Sequence, residues 1–276
     1  ATMITPEPDS LDPTDAPAPI TFSRPLLAVD RLAVRLGRRD ILAEVSFAVL
    51  PGRIAALIGP NGAGKTTLLN CLSGFVRPTS GQIRFHGFDL AALPAYRLPR
   101  AGIARTFQDP RLFNDISCLE YLLTAQHSRI PGSLLGDILG FPARWRERRA
   151  RERARVVLAG IELGSMETAL VGVLSRGQRK RLDLARCLAQ GADLLLLDEP
   201  AGGLQPQEVE MVGRILRDLQ AENPAVTMLI VEHNMRLVNQ VADQVVVLDN
   251  GRVVVTGSPA EVREDPMTAR AYLGAL

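Results

Sequence analysis

The residues with the clearest chemical meaning in this chain of 276 amino acids form the segment GPNGAGKTT, residues 59–67. Two glycines separated by four residues, followed by lysine and threonine, match the phosphate-loop pattern GxxxxGK[ST] completely. Glycines let consecutive backbone N–H groups turn toward a phosphate, and the next helix adds the positive end of its dipole. The lysine reaches the β- and γ-phosphates, and the threonine hydroxyl binds Mg²⁺. We expect a nucleotide to contact nine residues, Gly59, Pro60, Asn61, Gly62, Ala63, Gly64, Lys65, Thr66 and Thr67.

A second group of candidate residues is the acidic pair Asp198-Glu199, which directly follows four leucines at 194–197. A short leucine run is typical of a buried strand, and α/β proteins bind ligands at the carboxyl ends of such strands. We expect Asp198 to bind Mg²⁺, directly or through water, and Glu199 to be the general base that polarises the water attacking the γ-phosphate. Together with a complete phosphate loop, the pair predicts a P-loop nucleoside triphosphatase.

The elements that position these residues are visible in the hydrophobic pattern. Residues 26–35 and 44–49 alternate apolar and polar side chains, whereas 53–59 and 226–231 are apolar runs typical of buried strands. Strands that alternate with helical patterns predict an α/β fold with a mostly parallel sheet covered by helices. The segment VVVLDNGRVVV at 245–255 adds an antiparallel hairpin, because Asn-Gly favours a two-residue turn.

The domain organisation follows from a change of pattern within the chain. Residues 91–172 have helical periodicity, with loops expected at 131–132 (Pro-Gly) and 141–142 (Phe-Pro). We interpret this segment as a helical subdomain inserted into the α/β core. The nucleotide-binding core then comprises residues 25–90 and 173–276.

Composition argues against several classes of function. The formal net charge of +2 argues against a nucleic-acid-binding protein, and no run of about 18 apolar residues is present to form a membrane-spanning helix. The three cysteines form no CxxC pair, so neither a zinc site nor a disulfide framework is expected. Residues 1–24 are rich in proline and acidic side chains and are expected to form a disordered tail. Lysine is rare, since only Lys65 and Lys180 occur among 32 basic residues.

An arginine-rich stretch between Arg144 and Arg155 contains seven arginines. The favoured interpretation is an exposed helix face on which Glu147 and Glu152 act as ion-pair partners one turn away. The alternative is a contact with acidic lipid headgroups or with another protein.

Several shorter motifs give the chain a family resemblance. The sequence contains LSRGQ at 174–178, RTFQ at 105–108, AGGL at 201–204 and VEH at 231–233. No one of these motifs is specific, but their order and spacing around the phosphate loop and the acidic pair are. From about Leu26 to the C-terminus, the sequence resembles the ATP-binding subunits of ABC transporters.

The resemblance implies roles for individual residues. Gln108 would sense Mg²⁺ and the attacking water, and His233 would donate a hydrogen bond to the γ-phosphate. Ser175, Gly177 and Gln178 would contact the γ-phosphate of ATP held by the opposite subunit, so that two subunits sandwich two ATP molecules. The residues implied at the metal are Thr66, Gln108 and Asp198.

Longer segments, among them RTFQDPRLFNDISCLEYLLTAQH and the ending RAYLG, look like the longer ATPase of branched-chain amino acid importers. This resemblance implies a peripheral protein on the cytoplasmic face of the cell membrane. Its partners would be membrane permease subunits and, indirectly, an external substrate-binding protein, with no nucleic acid. The facing ATPase would be a second copy or, as the resemblance favours, a second and shorter ABC ATPase.

Two positions depart from the pattern of this group. Leu36 stands where an aromatic residue usually stacks on adenine, which predicts weaker or less base-selective nucleotide binding. Arg176 stands where glycine or tyrosine is commoner, and it either faces solvent or affects the partner's site. The motif residues Lys65, Asp198 and Glu199 are intact, so we expect hydrolysis.

Other functions remain as alternatives. One is an ABC ATPase of an exporter or a lipid-extraction system, because lipopolysaccharide-export ATPases have a similar C-terminal ending. Another is a soluble regulatory ABC ATPase, although such proteins usually carry two cassettes or a coiled-coil insertion, which this chain lacks. A nucleotide-gated scaffold without catalysis would be the outcome if the two departures marked a degenerate cassette.

Overall fold

The computed structural model describes residues 24–90, 93–107, 113–126 and 141–268. The tail predicted at 1–24, except for its last residue, and the loop predicted at 131–132 lie outside these ranges. The strands of the described residues are β1 (Leu27–Leu36), β2 (Arg39–Val49), β3 (Ile54–Ile58), β4 (Ser80–Phe85), β5 (Phe88–Asp89), β6 (Ile103–Arg105), β7 (Leu194–Asp198), β8 (Thr227–Val231), β9 (Gln244–Asp249) and β10 (Arg252–Gly257). The α-helices are α1 (Lys65–Leu72), α2 (Leu98–Ala101), α3 (Cys118–Gln126), α4 (Phe141–Gly160), α5 (Arg176–Ala189), α6 (Pro206–Glu222), α7 (Met235–Val241) and α8 (Pro259–Glu264). Short 3₁₀ helices occupy Ala95–Arg97, Gly164–Met166 and Val171–Val173.

A six-stranded sheet with the order β10-β9-β3-β8-β7-β6 forms the centre of the molecule. Its strands are parallel except for the antiparallel pair of β9 and β10. Every residue of β3, β7 and β8 is buried, which explains why these segments are continuous apolar runs rather than alternating ones. The α/β fold with a mostly parallel sheet, predicted from the sequence, is confirmed.

The antiparallel part of the fold is a four-stranded sheet with the order β2-β1-β4-β5. Strands β1 and β2 bury alternate residues, as their sequence pattern predicts. The predicted hairpin at 245–255 is formed by β9 and β10, with positive φ angles of 45° at Asn250 and 75° at Gly251. One core cluster, which includes Leu57, Leu68 and Leu69, lies between the two sheets and α1.

The structure corrects two details between residues 91 and 172. The loop predicted at 141–142 is wrong, because Phe141 and Pro142 begin helix α4. Proline is favoured in the first turn of a helix, where its missing N–H needs no partner. In addition, β6 joins the central sheet beside β7, whereas the sequence pattern indicated only helices here. Three residues are too few to produce a recognisable alternation.

Helix α4 carries the arginine-rich stretch. Arg148 pairs with Glu152 at 3.0 Å and Arg151 with Glu147 at 2.9 Å, which agrees with the predicted solvent-exposed face. Within the described ranges, no helix is long and apolar enough to cross a membrane.

Candidate active site

The phosphate loop connects β3 to α1, as the sequence predicts. Gly59 has a φ of 149°, and a Cβ atom there would collide with the carbonyl oxygen of Leu248. Glycine is therefore required where the loop leaves the strand. The loop is held in shape by hydrogen bonds from Ala63 N to Pro60 O (3.2 Å) and from Gly251 N to Ala63 O (3.0 Å).

Lys65 begins α1 and points back over the loop. Its Nζ donates hydrogen bonds to the carbonyl oxygens of Gly59 (2.7 Å) and Pro60 (2.9 Å). Burial lowers the pKa of the Lys65 ammonium, and the nearby Glu199 carboxylate opposes this shift. The charge is thus held where a nucleotide's β- and γ-phosphates lie in proteins of this loop type.

An open cleft of about 440 Å³ surrounds the phosphate loop, which is within the size range of small-molecule sites. It brings together residues from both sheets and from two predicted motifs. Its lining includes Arg39, Asp40, Ile41, Asn61, Gly62, Gly64, Lys65, Thr66, Thr67, Glu199, Val231, Asn250 and Gly251. The predicted base Glu199 and the predicted phosphate ligand Lys65 therefore face one cleft.

A metal ion at this cleft would need ligands from a bound nucleotide as well as from the protein. The described residues contain no group of three or more His, Cys, Asp or Glu side chains that could hold a metal ion alone. Mg²⁺ is commonly held by a hydroxyl, one or two carboxylates and phosphate oxygens. Of the residues predicted at the metal, Thr66 lines this cleft, whereas Asp198 is outside its described lining and its carboxylate pairs with Arg105.

Glu199 and His233 lie side by side at the ends of β7 and β8. The distance between His233 Nδ1 and Glu199 Oε1 is 3.8 Å, and the histidine side chain is exposed. Glu199 has a positive φ of 46°, a conformation that costs about 1–3 kcal/mol for a non-glycine residue and persists where neighbours enforce it. The structure thus brings the predicted general base close to the histidine for which the resemblance implies a γ-phosphate contact.

Buried Glu232 organises the main chain around this pair. Its carboxylate accepts hydrogen bonds from the backbone N–H groups of Ala201 (2.8 Å), His233 (3.0 Å) and Asn234 (3.0 Å). No role was predicted for Glu232 from the sequence, although its position directly after a buried strand was a signal, because a buried carboxylate needs hydrogen-bond partners.

Asp198 is buried and pairs with Arg105 at the end of β6, with 3.0 Å between Arg105 Nη2 and Asp198 Oδ2. Arg105 Nη1 also donates to Asn70 Oδ1 (2.7 Å) and Ser73 Oγ (2.6 Å) on α1. Its guanidinium lies 5.3 Å from the ring centre of Phe107. This arginine joins the phosphate-loop helix to the predicted metal ligand, a role that no local sequence pattern indicated.

Gln108 lies outside the described residues, but the segment that leads to it is firmly attached to α5. Asp183 Oδ2 accepts a hydrogen bond from Phe107 N (3.1 Å), and Arg186 Nη2 donates to the carbonyl oxygen of Arg105 (2.6 Å). Asp183 and Arg186 are themselves paired at 2.7 Å. Helix α5 is therefore bonded directly to Arg105 and Phe107, which precede Gln108 in the chain.

The Ser175 turn caps the N-terminus of α5. Ser175 Oγ accepts from Gln178 N (3.2 Å), and Gln178 Oε1 accepts from Ser175 N (2.8 Å), which is a capping box. A Cβ on Gly177 would collide with Glu208 Oε1, so the Glu208 side chain lies directly against this glycine. Ser175 is exposed, and the turn is absent from the described residues that line the Lys65 cleft.

The two departures from the expected pattern are both exposed. Leu36 is 52 % exposed at the end of β1, where it is paired in register with Arg39 of the cleft lining. Arg176 is exposed but does not simply extend into solvent. Its guanidinium covers Gly203, at which a Cβ would lie 2.7 Å from Arg176 Nη1.

Comparison with known proteins gives a consistent family. Residues 42–202 match the family model described as ABC transporter. The chain is 40% identical over 254 residues to the high-affinity branched-chain amino acid transport ATP-binding protein BraF of Pseudomonas aeruginosa, covering 92% of this chain and 99% of that one. It is 38% identical, with the same coverage, to the protein LivG of Escherichia coli, which has the same description. The lipopolysaccharide export system ATP-binding protein LptB of Acidithiobacillus ferridurans is 34% identical, over 90% and 97% of the two chains.

Solved structures agree with this result. A nucleotide-free ATP-binding cassette from an ABC transporter superposes with a TM-score of 0.78 at 28% identity, covering 91% of this chain and all of that one. The ADP conformation of the ATP-binding cassette MJ1267 superposes with a TM-score of 0.79, also at 28% identity, covering 92% of this chain and all of that one.

Proposed function

The chain belongs to the ABC transporter family as an ATP-binding-cassette ATPase, and we propose that it powers a membrane importer for branched-chain or related amino acids. The observation that carries this proposal is the cleft shared by Lys65, Thr66 and Glu199 in a chain whose importer relatives match it over almost their whole length. The exporter alternative has less support, because the export ATPase is 34% identical and the importer ATPases are 38–40% identical.

The proposed chemistry follows from the positions of the side chains. The phosphate loop, residues 59–67, would bind the triphosphate, and Thr66 and Asp198 would hold Mg²⁺, which would neutralise the charge that develops on the phosphates. Glu199 accepts the proton of the attacking water, and His233 beside it donates to the γ-phosphate. By family resemblance, Gln108 would contact the metal and the water.

The proposed active unit is a dimer of cassettes. Ser175 is exposed at the N-terminus of α5, and Gly177 and Gln178 follow it in the first turn of this helix, whose dipole attracts phosphate. Because this turn does not line the chain's own Lys65 cleft among the described residues, we assign it to the ATP of the facing cassette. That cassette is a second copy or, as the importer resemblance favours, a shorter ABC ATPase.

The proposed membrane contact lies beside Arg105. A groove of about 150 Å³ there has an apolar lining that includes Phe75, Leu98 and Phe107. The two phenylalanines are 60 % and 45 % exposed and their ring centres are 6.2 Å apart, so they form one apolar patch of the kind that can mark a partner site. We propose that permease subunits dock here and hold the chain on the cytoplasmic face of the membrane, with an external substrate-binding protein acting indirectly.

In the proposed domain organisation, residues 91–172 are the helical subdomain, and residues 25–90 and 173–276 are the nucleotide-binding core.

Replacing Leu36 tests the account of nucleotide binding. A Leu36→Tyr variant should bind ATP about five- to tenfold more tightly, because stacking of an aromatic ring on a base contributes about 1 kcal/mol or more. Equilibrium titration with a fluorescent ATP analogue measures the effect. Leu50→Tyr is the matched control, because Leu50 is similarly exposed (43 %) and does not line the cleft. Equal ATP affinities in the two variants would show that the adenine ring does not stack at position 36.

Transport tests the proposed function itself. We expect permease subunits to co-purify with the full chain from detergent-solubilised membranes of its source. Vesicles containing this complex should take up a radiolabelled branched-chain amino acid in an ATP-dependent manner, and Lys65→Ala should abolish uptake while the complex still forms. Purification with export components, or ATP-independent uptake, would contradict the proposal.

A further inference from the structure

Lys180 is the second of only two lysines in a chain that otherwise uses arginine as its basic residue. Lys65 has a role in the phosphate loop, whereas the family motifs give Lys180 none. It lies in α5, close behind the Ser175 turn, and its side chain is partly buried. A lysine provides a compact point charge on a flexible stem, whereas arginine provides a wide planar fork. A lysine rather than an arginine at position 180 therefore indicates that its side chain donates to a single hydrogen-bond acceptor.

That acceptor is the main chain of the predicted base. Lys180 Nζ donates a hydrogen bond of 2.6 Å to the carbonyl oxygen of Glu199. The same carbonyl accepts from Gly202 N at 3.0 Å, and Glu199 N donates to Val231 O at 2.9 Å. These contacts surround the residue with the positive φ of 46°. A charged donor makes a stronger hydrogen bond than a neutral one and helps to hold an unfavourable backbone conformation.

The segment that follows Glu199 is held from both sides. On one side α5 contributes Lys180 and also Arg176, whose guanidinium covers Gly203. On the other side the buried Glu232 carboxylate binds the N–H group of Ala201. Helix α5 thus contacts the main chain of the base at the same time as its N-terminal turn faces outward. Helix α5 is therefore the element that connects the Ser175 turn to the Glu199 main chain.

We propose that Lys180 is a positioning residue that fixes the Glu199 main chain and links it to the helix carrying the Ser175 turn. Through this link, engagement of the turn by the facing cassette's ATP sets the geometry of the base in the chain's own site. The inference rests on the proposed function, in which Glu199 is the general base and the Ser175 turn binds ATP of the facing cassette.

The test compares Lys180→Met, Lys180→Gln and Lys180→Arg in the full chain. Methionine has a similar length and no donor, and the glutamine amide is one atom shorter than the ammonium. We expect both to lower kcat about 10- to 30-fold, because a displaced catalytic group costs rate rather than ground-state binding. KM and the affinity for a fluorescent ATP analogue should change less than twofold. Arginine keeps a charged donor, but its planar fork fits a single acceptor less well, so Lys180→Arg should restore kcat only in part, to about threefold below the wild type.

Arg214→Met is the matched control, because Arg214 is exposed on α6 and its loss also removes one positive charge. It should leave kcat and KM unchanged. The unaltered nucleotide affinity of each Lys180 variant serves as the measure that its site is folded. If Lys180→Met changes the nucleotide affinity, the kcat of Lys180→Gln decides the test, because glutamine is polar and suits a partly exposed position.

Epistasis separates this inference from the proposed function. In a Glu199→Gln background, adding Lys180→Met should not slow the residual hydrolysis further, because the lysine acts only through the base. Wild-type kcat in Lys180→Met and Lys180→Gln, with Glu199→Gln inactive, would overturn the role of Lys180 alone. A raised KM with unchanged kcat would also overturn it. Rapid hydrolysis by Glu199→Gln itself would instead overturn the assignment of the base.

Discussion

A Glu199→Gln variant should bind ATP as tightly as the wild type and hydrolyse it about 10²- to 10⁴-fold more slowly, which is the usual contribution of a positioned general base. Glutamine keeps the size and the hydrogen-bonding capacity of the side chain but cannot take a proton from water. Because Glu199 lines the same cleft as Lys65 and approaches His233 Nδ1 at 3.8 Å, its loss removes proton transfer and leaves the phosphate contacts in place.

Phosphate release by the complex with its membrane partners measures turnover, and a fluorescent ATP analogue measures binding. Glu210→Gln is the control, because Glu210 is an exposed carboxylate on α6 outside the cleft lining. It should hydrolyse ATP at the wild-type rate. Wild-type hydrolysis by Glu199→Gln would show that another group activates the water.

The second large effect concerns stability. Arg105→Ala should lower the free energy of unfolding by about 3–5 kcal/mol, because it leaves the buried Asp198 carboxylate without its cation. Arg105 and Asp198 side chains are each only 9 % exposed, and their ion pair is 3.0 Å long. The substitution also removes the hydrogen bonds to Asn70 and Ser73 on α1. Urea unfolding with linear extrapolation measures the change.

Two further variants distinguish this explanation from a general effect of losing an arginine. Arg148→Ala breaks an ion pair with Glu152 in which the arginine is 80 % exposed, and its unfolding free energy should stay close to that of the wild type. The double variant Arg105→Met with Asp198→Asn removes both buried charges and should recover part of the stability. A loss in Arg105→Ala no larger than that in Arg148→Ala would contradict the buried pair.

The parts of the fold that were predicted from sequence are those whose signal is local. Strands β3 and β8 are short apolar runs, and the β9–β10 hairpin is marked by Asn250-Gly251, so neighbouring residues alone identify them. Strand β6 was missed because three residues carry no period, and its place in the sheet depends on pairing with β7. The loop at 141–142 was mispredicted because proline both ends helices and begins them.

The site shows the same division between local and distant signals. The phosphate loop and the acidic pair are short motifs whose chemistry is contained in consecutive residues. The residues that hold these motifs in place are distant in sequence. Arg105 and Asp198 are 93 positions apart, and Lys180 and Glu199 are 19 apart. Such contacts depend on how the sheet and α5 pack, and a single sequence does not encode them as a pattern. The rarity of lysine was the one advance signal for Lys180.

The central claim is that each ATP is held between the phosphate loop of one cassette and the Ser175 turn of the facing one. Its most direct test is photocrosslinking from a benzoylphenylalanine in place of Arg176, in a Glu199→Gln background with Mg²⁺ and ATP. Isotope-labelled and unlabelled protein are mixed, so that mass spectrometry distinguishes crosslinks within a chain from those between chains. We predict an ATP-dependent crosslink to the phosphate-loop peptide of another chain, either Ile54–Lys65 of a second copy or its counterpart in a second cassette. A crosslink to Ile54–Lys65 of the same chain, or one that forms equally without ATP, would contradict the account.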